Sequence, residues 1–206
     1  MTAFYRFMRI FAVIYARVCF KIKVNGIENF PKTGGIVLCA NHQSINDVFL
    51  LGTVLKRQLH FMGKEELFKN PVAHWFFIKL GSFAVKRGKG DFAAIEFAEK
   101  IVKEEKVFAI FPEGTRSKTG EILRAKSGAA VVAAATKAPI VPVAIKYNNK
   151  NNRHCFTKAT LSFGKPINTA KETELDLTNP AGGRKEIRKI SSEIMDSIKT
   201  LYEQSN

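Results

Sequence analysis

The sequence predicts an α/β fold, a single domain with a mixed, mostly parallel sheet flanked by helices, and an N-terminal amphipathic helix beside it. Three observations carry this prediction. Short apolar runs rich in β-branched residues, at 36–40, 107–111 and 140–145, alternate with longer segments of helical periodicity, as in sheets whose strands are joined by crossover helices. At 206 residues, 46% hydrophobic and 25% charged, the chain is long enough for one sizeable core and short for two. Polar clusters follow two of the apolar runs directly, at 41–47 and 112–117, where open α/β sheets build their sites.

From the start of the chain, residues 4–20 place Phe4, Phe7, Phe11, Ile14, Tyr15 and Val18 on one helical face and Arg6, Arg9 and Arg17 on the other. The arginines keep every uncharged run short of the ~20 residues a membrane span requires, and no cleavage signal of a secretory leader follows. Two readings stay open: a helix packed on the protein's own core, or one lying in a lipid interface with its arginines at anionic headgroups. The division that follows is 1–20 as a membrane-associating helix and 21–206 as the remaining domain.

Residues 21–26 alternate and end at Gly26, predicting a short strand, and 31–35 form a loop. The strand at 36–40 leads through the polar segment into a helix. A second strand is expected at 59–62, then helical segments over 64–80 with Asn70-Pro71 as a start or break. Trp75, Phe76 and Phe77 are consecutive and cannot all face one core, so membrane contact or an acyl-chain pocket stands beside ordinary packing. Residues 81–88 read as a strand ending in Lys86, Arg87 and Gly88, 91–104 as an amphipathic helix and 107–111 as the clearest buried strand. A small-residue helix spans 127–135. Pro142 assigns the strand at 140–145 to an edge or irregular position. A turn at 148–153, a last strand at 159–163, a polar loop at 171–183 and a helix marked by Ile187, Ile190, Ile194, Ile198 and Leu201 complete the chain, which has no internal repeat or interdomain linker.

The formal charge is +15, from 33 Lys and Arg against 18 Asp and Glu, and points to an anionic partner: a phospholipid surface, nucleic acid, a phosphorylated substrate or an acidic carrier. Cys19, Cys39 and Cys155 have neither disulfide nor metal spacing, and His42, His60, His74 and His154 form no HExxH, so no metal or cofactor is expected.

Within 41–47, His42 and Asp47 lie five positions apart. An imidazole removes a hydroxyl proton near neutral pH best when its other ring nitrogen donates to a carboxylate that fixes the tautomer. The same residues carry a plainer reading, since Ser44-x-x-Asp47 is also a capping box at a helix start. After 107–111 comes Pro112-Glu113-Gly114-Thr115-Arg116-Ser117. Its glycine permits a tight turn, Arg116 offers a planar fork to a phosphate, and Glu113 can orient a neighbouring cation. The phosphate-loop spacing fails between Gly114 and Gly120, so nucleotide hydrolysis is not inferred.

Asn41-His42-Gln43-Ser44-x-x-Asp47, then 81–87 ending at Arg87, Phe111-Pro112-Glu113-Gly114-Thr115-Arg116-Ser117, Lys126-x-Gly128 and Ile140-Val141-Pro142-Val143 follow in an order and spacing that resemble the glycerolipid acyltransferase family. Within it the likeness is greatest to bacterial lysophosphatidic acid (1-acylglycerol-3-phosphate) acyltransferases. The resemblance covers about residues 26–145 and implies acyl transfer from a thioester, acyl-CoA or acyl carrier protein, to the sn-2 hydroxyl of a 1-acylglycerol 3-phosphate at the cytoplasmic face of the cell membrane. It implies His42 as general base and Asp47 as its orienting partner. Arg116, the Gly114 backbone, Arg87 and Lys126 would bind the phosphate, with Glu113 and Thr115 as binding-loop residues and Asn41 and Gln43 as oxyanion candidates. Lys86 departs from the acidic or amide residue common before the second-block arginine, and a single N-terminal helix stands where a two-helix docking element is expected.

The chemistry of the residues agrees. A thioester is already activated and needs a base and oxyanion stabilisation but no enzyme nucleophile, and no G-x-S-x-G is present. Cys39 sits inside an apolar run and reads as a packing residue. Another lysolipid or glycerol 3-phosphate as acceptor is the alternative within the enzyme class. A non-catalytic basic protein binding membrane or nucleic acid is the alternative outside it. Nucleic acid is not the expected partner, because electrostatic binding needs only spread Lys and Arg and no base-carboxylate pair.

Overall fold

The computed structural model describes residues 1–85, 92–149, 156–169 and 180–205. The strands are β1 (Phe20–Asn25), β2 (Ile36–Ala40), β3 (Leu59–Lys64), β4 (Phe83–Val85), β5 (Val107–Ile110), β6 (Ile140–Tyr147) and β7 (Thr157–Phe163). The helices are α1 (Ala3–Cys19), α2 (Asn46–Val54), α3 (Pro71–Lys79), α4 (Phe92–Lys103), α5 (Gly128–Thr136) and α6 (Pro180–Gln204). The strands form one sheet in the order β1-β7-β6-β2-β5-β3-β4. Every neighbouring pair is parallel except β6 and β7. Strands β2 to β6 therefore run one way and β1 and β7 the other. The carboxyl ends of β2, β3, β4, β5 and β6 share one edge of the sheet, and the start of β1, with the end of α1, lies at that same edge.

Each sheet face carries its own apolar layer. Leu38, Ala40, Val141, Val143 and Ile145 pack with Ala16 and Cys19 of α1 and Leu50 and Leu51 of α2. Val37, Cys39, Phe108 and Ile140 pack with Ala98 and Ile101 of α4, Ala130 and Ala133 of α5, and Ile190, Ile194 and Ile198 of α6. All five residues of β2 are buried, which explains its unbroken apolar run in place of alternation. The alanines of α5 let its axis approach the sheet closely.

Two expectations need correction. Pro142 lies in an interior strand, because β6 pairs with β2 on one side and β7 on the other. Its backbone faces the β7 side. There Pro142 sits between an antiparallel bridge of Ile140 with Ile167 and the ladder that starts at Val143 opposite Phe163, and the Gly164 N–H donates to the Pro142 carbonyl at 2.9 Å, so the proline falls where the pairing is interrupted. The polar loop expected over 171–183 is helical from Pro180; residues 171–179 lie outside the described residues, as do 150–153 of the turn expected at 148–153. Asn70-Pro71 is a helix start: the Asn70 carboxamide accepts from the Val72 and Ala73 N–H groups, with Pro71 in the first turn.

Helix α1 divides its surface between two environments. Tyr5, Ala16 and Cys19 are buried, whereas Phe7, Ile10, Phe11, Ile14 and Val18 are each more than half exposed and lie along one stripe. Arg9, expected on the outer polar face, turns inward. Its guanidinium donates to the carbonyls of Gly52 and Thr53 at 3.1 and 2.6 Å, satisfying the end of α2. Arg6 and Arg17 remain exposed. The ring of Phe4 meets Trp75 of α3 edge-on at 5.3 Å. No helix among the described residues is long and apolar enough to cross a membrane.

Candidate active site

The segment from Asn41 to Asp47 crosses the carboxyl edge between β2 and α2. The Nδ1 of His42 lies 2.8 Å from Asp47 Oδ2. The same oxygen accepts the N–H groups of Gln43 and Ser44 at 2.7 and 2.9 Å, and the other, Oδ1, accepts the Tyr147 hydroxyl at 2.6 Å. Asp47 is wholly buried, so these four bonds replace the water a carboxylate requires. Only half of a capping box forms: Asp47 accepts the Ser44 N–H, but Ser44 Oγ accepts the N–H of Asn46 and not that of Asp47, so the carboxylate closes the loop before α2 while the same oxygen orients the imidazole.

The His42 ring stacks on Phe111 at 3.9 Å between centroids with 11° between planes, and Phe111 stacks in turn on Phe61 at 5.8 Å. Asp47 sets one edge of the imidazole and Phe111 one face, which leaves Nε2 as the ring atom available to a substrate.

The loop after β5 is laced to this segment. Glu113 is buried and accepts the backbone N–H of His42 at 2.9 Å and of Leu123 at 3.3 Å. The His42 carbonyl accepts the Ser117 N–H at 2.7 Å. Burial pushes the Glu113 carboxyl up to about 7; the two N–H donors oppose the rise and the charge of Asp47 adds to it. Gly114 holds a left-handed φ of +68°, and a Cβ there would come within 2.9 Å of the Lys126 side chain, so glycine serves both the turn and the close approach. Thr115, Arg116 and Lys126 are exposed, and neither Arg116 nor Lys126 forms an ion pair with a described residue.

Not every expected site residue is presented to a substrate. Asn41 is buried with its carboxamide bound at both ends to Ile145 of β6, donating to the carbonyl at 2.9 Å and accepting the N–H at 2.7 Å. It extends the sheet where the β2 ladder ends, a structural role that one of its two amide N–H groups serves. Gln43 is buried too and donates to the Gly120 carbonyl at 3.3 Å. The N–H groups of His42, Gln43 and Ser44 are likewise occupied. Arg87 lies outside the described residues. Burial raises the Cys39 thiol far above its ordinary ionisation range, which removes it as a nucleophile. Tyr147 and Phe111 touch the pair although sequence reasoning assigned them no role. For Tyr147 a signal existed: Val141, Val143, Ile145 and Tyr147 alternate on the face that α2 covers.

Comparison with known proteins decides the family. The acyltransferase family model matches residues 21–146. The chain belongs to the acyltransferase family. This acyltransferase is 35% identical over 152 residues to the 1-acyl-sn-glycerol-3-phosphate acyltransferase of Bacillus subtilis, covering 72% of this chain and 75% of the relative. It is 31% identical over 193 residues to the protein of the same name from Saccharomyces cerevisiae, covering 87% of this chain and 60% of that one. Its fold matches the crystal structure of the 1-acyl-sn-glycerophosphate acyltransferase PlsC of Thermotoga maritima with a TM-score of 0.66 at 24% identity, over 95% of this chain and 81% of the other. The matched family region begins one residue after the start of β1 and ends at the penultimate residue of β6, so it takes in the loops after β2 and β5.

Proposed function

We propose that this acyltransferase moves a fatty acyl group from a thioester, acyl-CoA or acyl carrier protein, to the sn-2 hydroxyl of 1-acylglycerol 3-phosphate, giving phosphatidic acid for phospholipid synthesis. The observation that carries the proposal is the 2.8 Å contact of His42 Nδ1 with a buried Asp47, laced by backbone bonds to the loop bearing Arg116. With Nδ1–H donated to Asp47, the Nε2 lone pair takes the proton of the acceptor hydroxyl. The hydroxyl oxygen bonds to the thioester carbonyl carbon, and the tetrahedral intermediate expels the thiolate as the C–S bond breaks. The thiolate then receives the proton held at Nε2. Arg116 and Lys126, exposed and without an ion pair among the described residues, bind the acceptor's phosphate, with Thr115 and the Gly114 backbone beside them and Arg87 as a further phosphate ligand. No cofactor is required, because the thioester supplies the activation.

The acceptor is a membrane lipid, and the exposed stripe Phe7, Ile10, Phe11, Ile14 and Val18 of α1 suits peripheral attachment to the cytoplasmic face of the cell membrane. The net charge of +15 favours the same anionic surface. The deciding experiment is thioester consumption by purified protein across a panel of lysolipid acceptors, glycerol 3-phosphate and no acceptor. Turnover greatest with 1-acylglycerol 3-phosphate and abolished in His42→Ala is the expected result. Equal turnover without acceptor, or an active, folded His42→Ala protein, would overturn it.

A further inference from the structure

The two oxygens of Asp47 are held in different ways. Oδ2 is fixed by the N–H groups of Gln43 and Ser44 and faces His42. The other oxygen, Oδ1, accepts the Tyr147 hydroxyl at 2.6 Å, a bond that draws carboxylate charge away from the imidazole side. A carboxylate oxygen buried without a donor is costly, and a phenol at this distance is a charge-assisted donor. The phenol is well placed to give a fixed direction. Tyr147 is the last residue of β6 and is 3% exposed. Its ring packs on Phe20 at 6.3 Å, and two residues earlier the strand is clamped to Asn41 by two hydrogen bonds.

We infer that Tyr147 is a positioning residue of the reaction, the outer member of a relay Tyr147–Asp47–His42 whose donation to Oδ1 sets how much of the carboxylate's charge the imidazole feels. The inference rests on the proposed role of His42 as base. The other titratable groups around the pair are Glu113 from the loop after β5, which feels the charge of Asp47, and Tyr15 of α1, whose hydroxyl donates to Asn46 Oδ1 at 3.0 Å beside Asp47. No Lys or Arg among the described residues pairs with Asp47.

The test is Tyr147→Phe, which keeps the ring and its packing and removes only the hydroxyl. Asp47 then turns more of its charge on His42, the imidazolium persists to higher pH, and the acidic limb of the kcat/KM profile moves up by about half a pH unit or more. The kcat falls roughly tenfold while the acceptor KM is unchanged. The NMR titration of His42 Cε1–H without substrate moves in the same direction, a readout independent of turnover. Replacing Tyr147 by 3-fluorotyrosine, a more acidic phenol and stronger donor, shifts both readouts to lower pH and serves if the Phe variant does not fold. An unmoved limb and an unmoved His42 titration in a folded variant would overturn the inference, whatever happens to kcat. That outcome with an inactive His42→Ala rejects Tyr147 alone, whereas an active His42→Ala rejects the base assignment itself.

Discussion

Glu113 accepts the backbone N–H of His42 at 2.9 Å. The residue preceding Gly114 therefore holds the main chain of His42, the proposed base. The reverse bond from the Ser117 N–H to the His42 carbonyl at 2.7 Å ties the loops after β2 and β5 together, so in the proposed reaction a phosphate at Arg116 would be held in register with Nε2. This is the orientation effect by which acyl transfer becomes effectively intramolecular.

The buried Glu113 carboxyl makes stability depend on pH. Its ionisation rises from 4.5 to about 7 in the folded chain, so between those values the native state binds a proton that the unfolded state has lost. Stability from this group is greatest near pH 4.5 and falls as pH rises toward 7, by on the order of 3 kcal/mol in total. Glu113→Gln removes the group. Denaturant unfolding across pH 4.5 to 8 should show the wild-type-minus-variant difference declining with pH, and a difference that stays level would refute the assignment.

Arg116→Ala separates binding from chemistry. The guanidinium is exposed and lies in the loop beside the His42 segment, so its loss should raise the acceptor KM about tenfold to hundredfold with a smaller change in kcat. Initial rates with varied 1-acylglycerol 3-phosphate at saturating thioester measure this. An unchanged KM with a large loss of kcat would move Arg116 from phosphate binding to stabilisation of the developing oxyanion.

Much of this arrangement is legible in the chain because the determining signals are local. Apolar runs such as 36–40 mark buried strands, Asn70-Pro71 marks a helix start, and the loops at 41–47 and 112–117 announce themselves by following strands. What escapes are the long-range decisions. Pro142 is tolerated in an interior strand where the pairing is interrupted between Phe163 and Ile167, and no feature of 140–145 reveals where a distant strand breaks its ladder. Arg9 looks like a surface arginine on its own helix, yet the carbonyls that recruit it belong to Gly52 and Thr53. Tyr147 reads as a strand-end aromatic, and its role depends on the pairing that lays β6 beside β2.

Asn41 provides a test of that distinction. Its carboxamide replaces two ladder bonds between β2 and β6, so Asn41→Ala leaves a buried backbone N–H and carbonyl of Ile145 without these partners and should cost about 2–4 kcal/mol. The loss appears as a lower midpoint in denaturant unfolding. Assayed well below its unfolding temperature, the variant should lose far less turnover than the hundredfold or more that removal of an oxyanion donor causes. A stable Asn41→Ala protein with such a loss would instead support the oxyanion role expected from the sequence.

The stripe on α1 makes the final prediction. Phe7, Phe11 and Ile14 are 56%, 53% and 55% exposed, so serine at all three removes apolar area that the fold does not bury, and the thermal melt should barely change. Each side chain contributes about 1.5–3 kcal/mol when fully taken from water. Even half of that for three residues lowers partitioning onto vesicles about thirtyfold or more. Sedimentation with phosphatidylglycerol-containing vesicles at two salt concentrations separates this apolar contribution from the charge of Arg6 and Arg17, since only the latter weakens with added salt. Undiminished sedimentation of a folded triple variant would show that attachment lies elsewhere. A loss of vesicle binding accompanied by full activity on a monomerically dispersed acceptor would show that α1 delivers the enzyme to its lipid without shaping the catalytic pair.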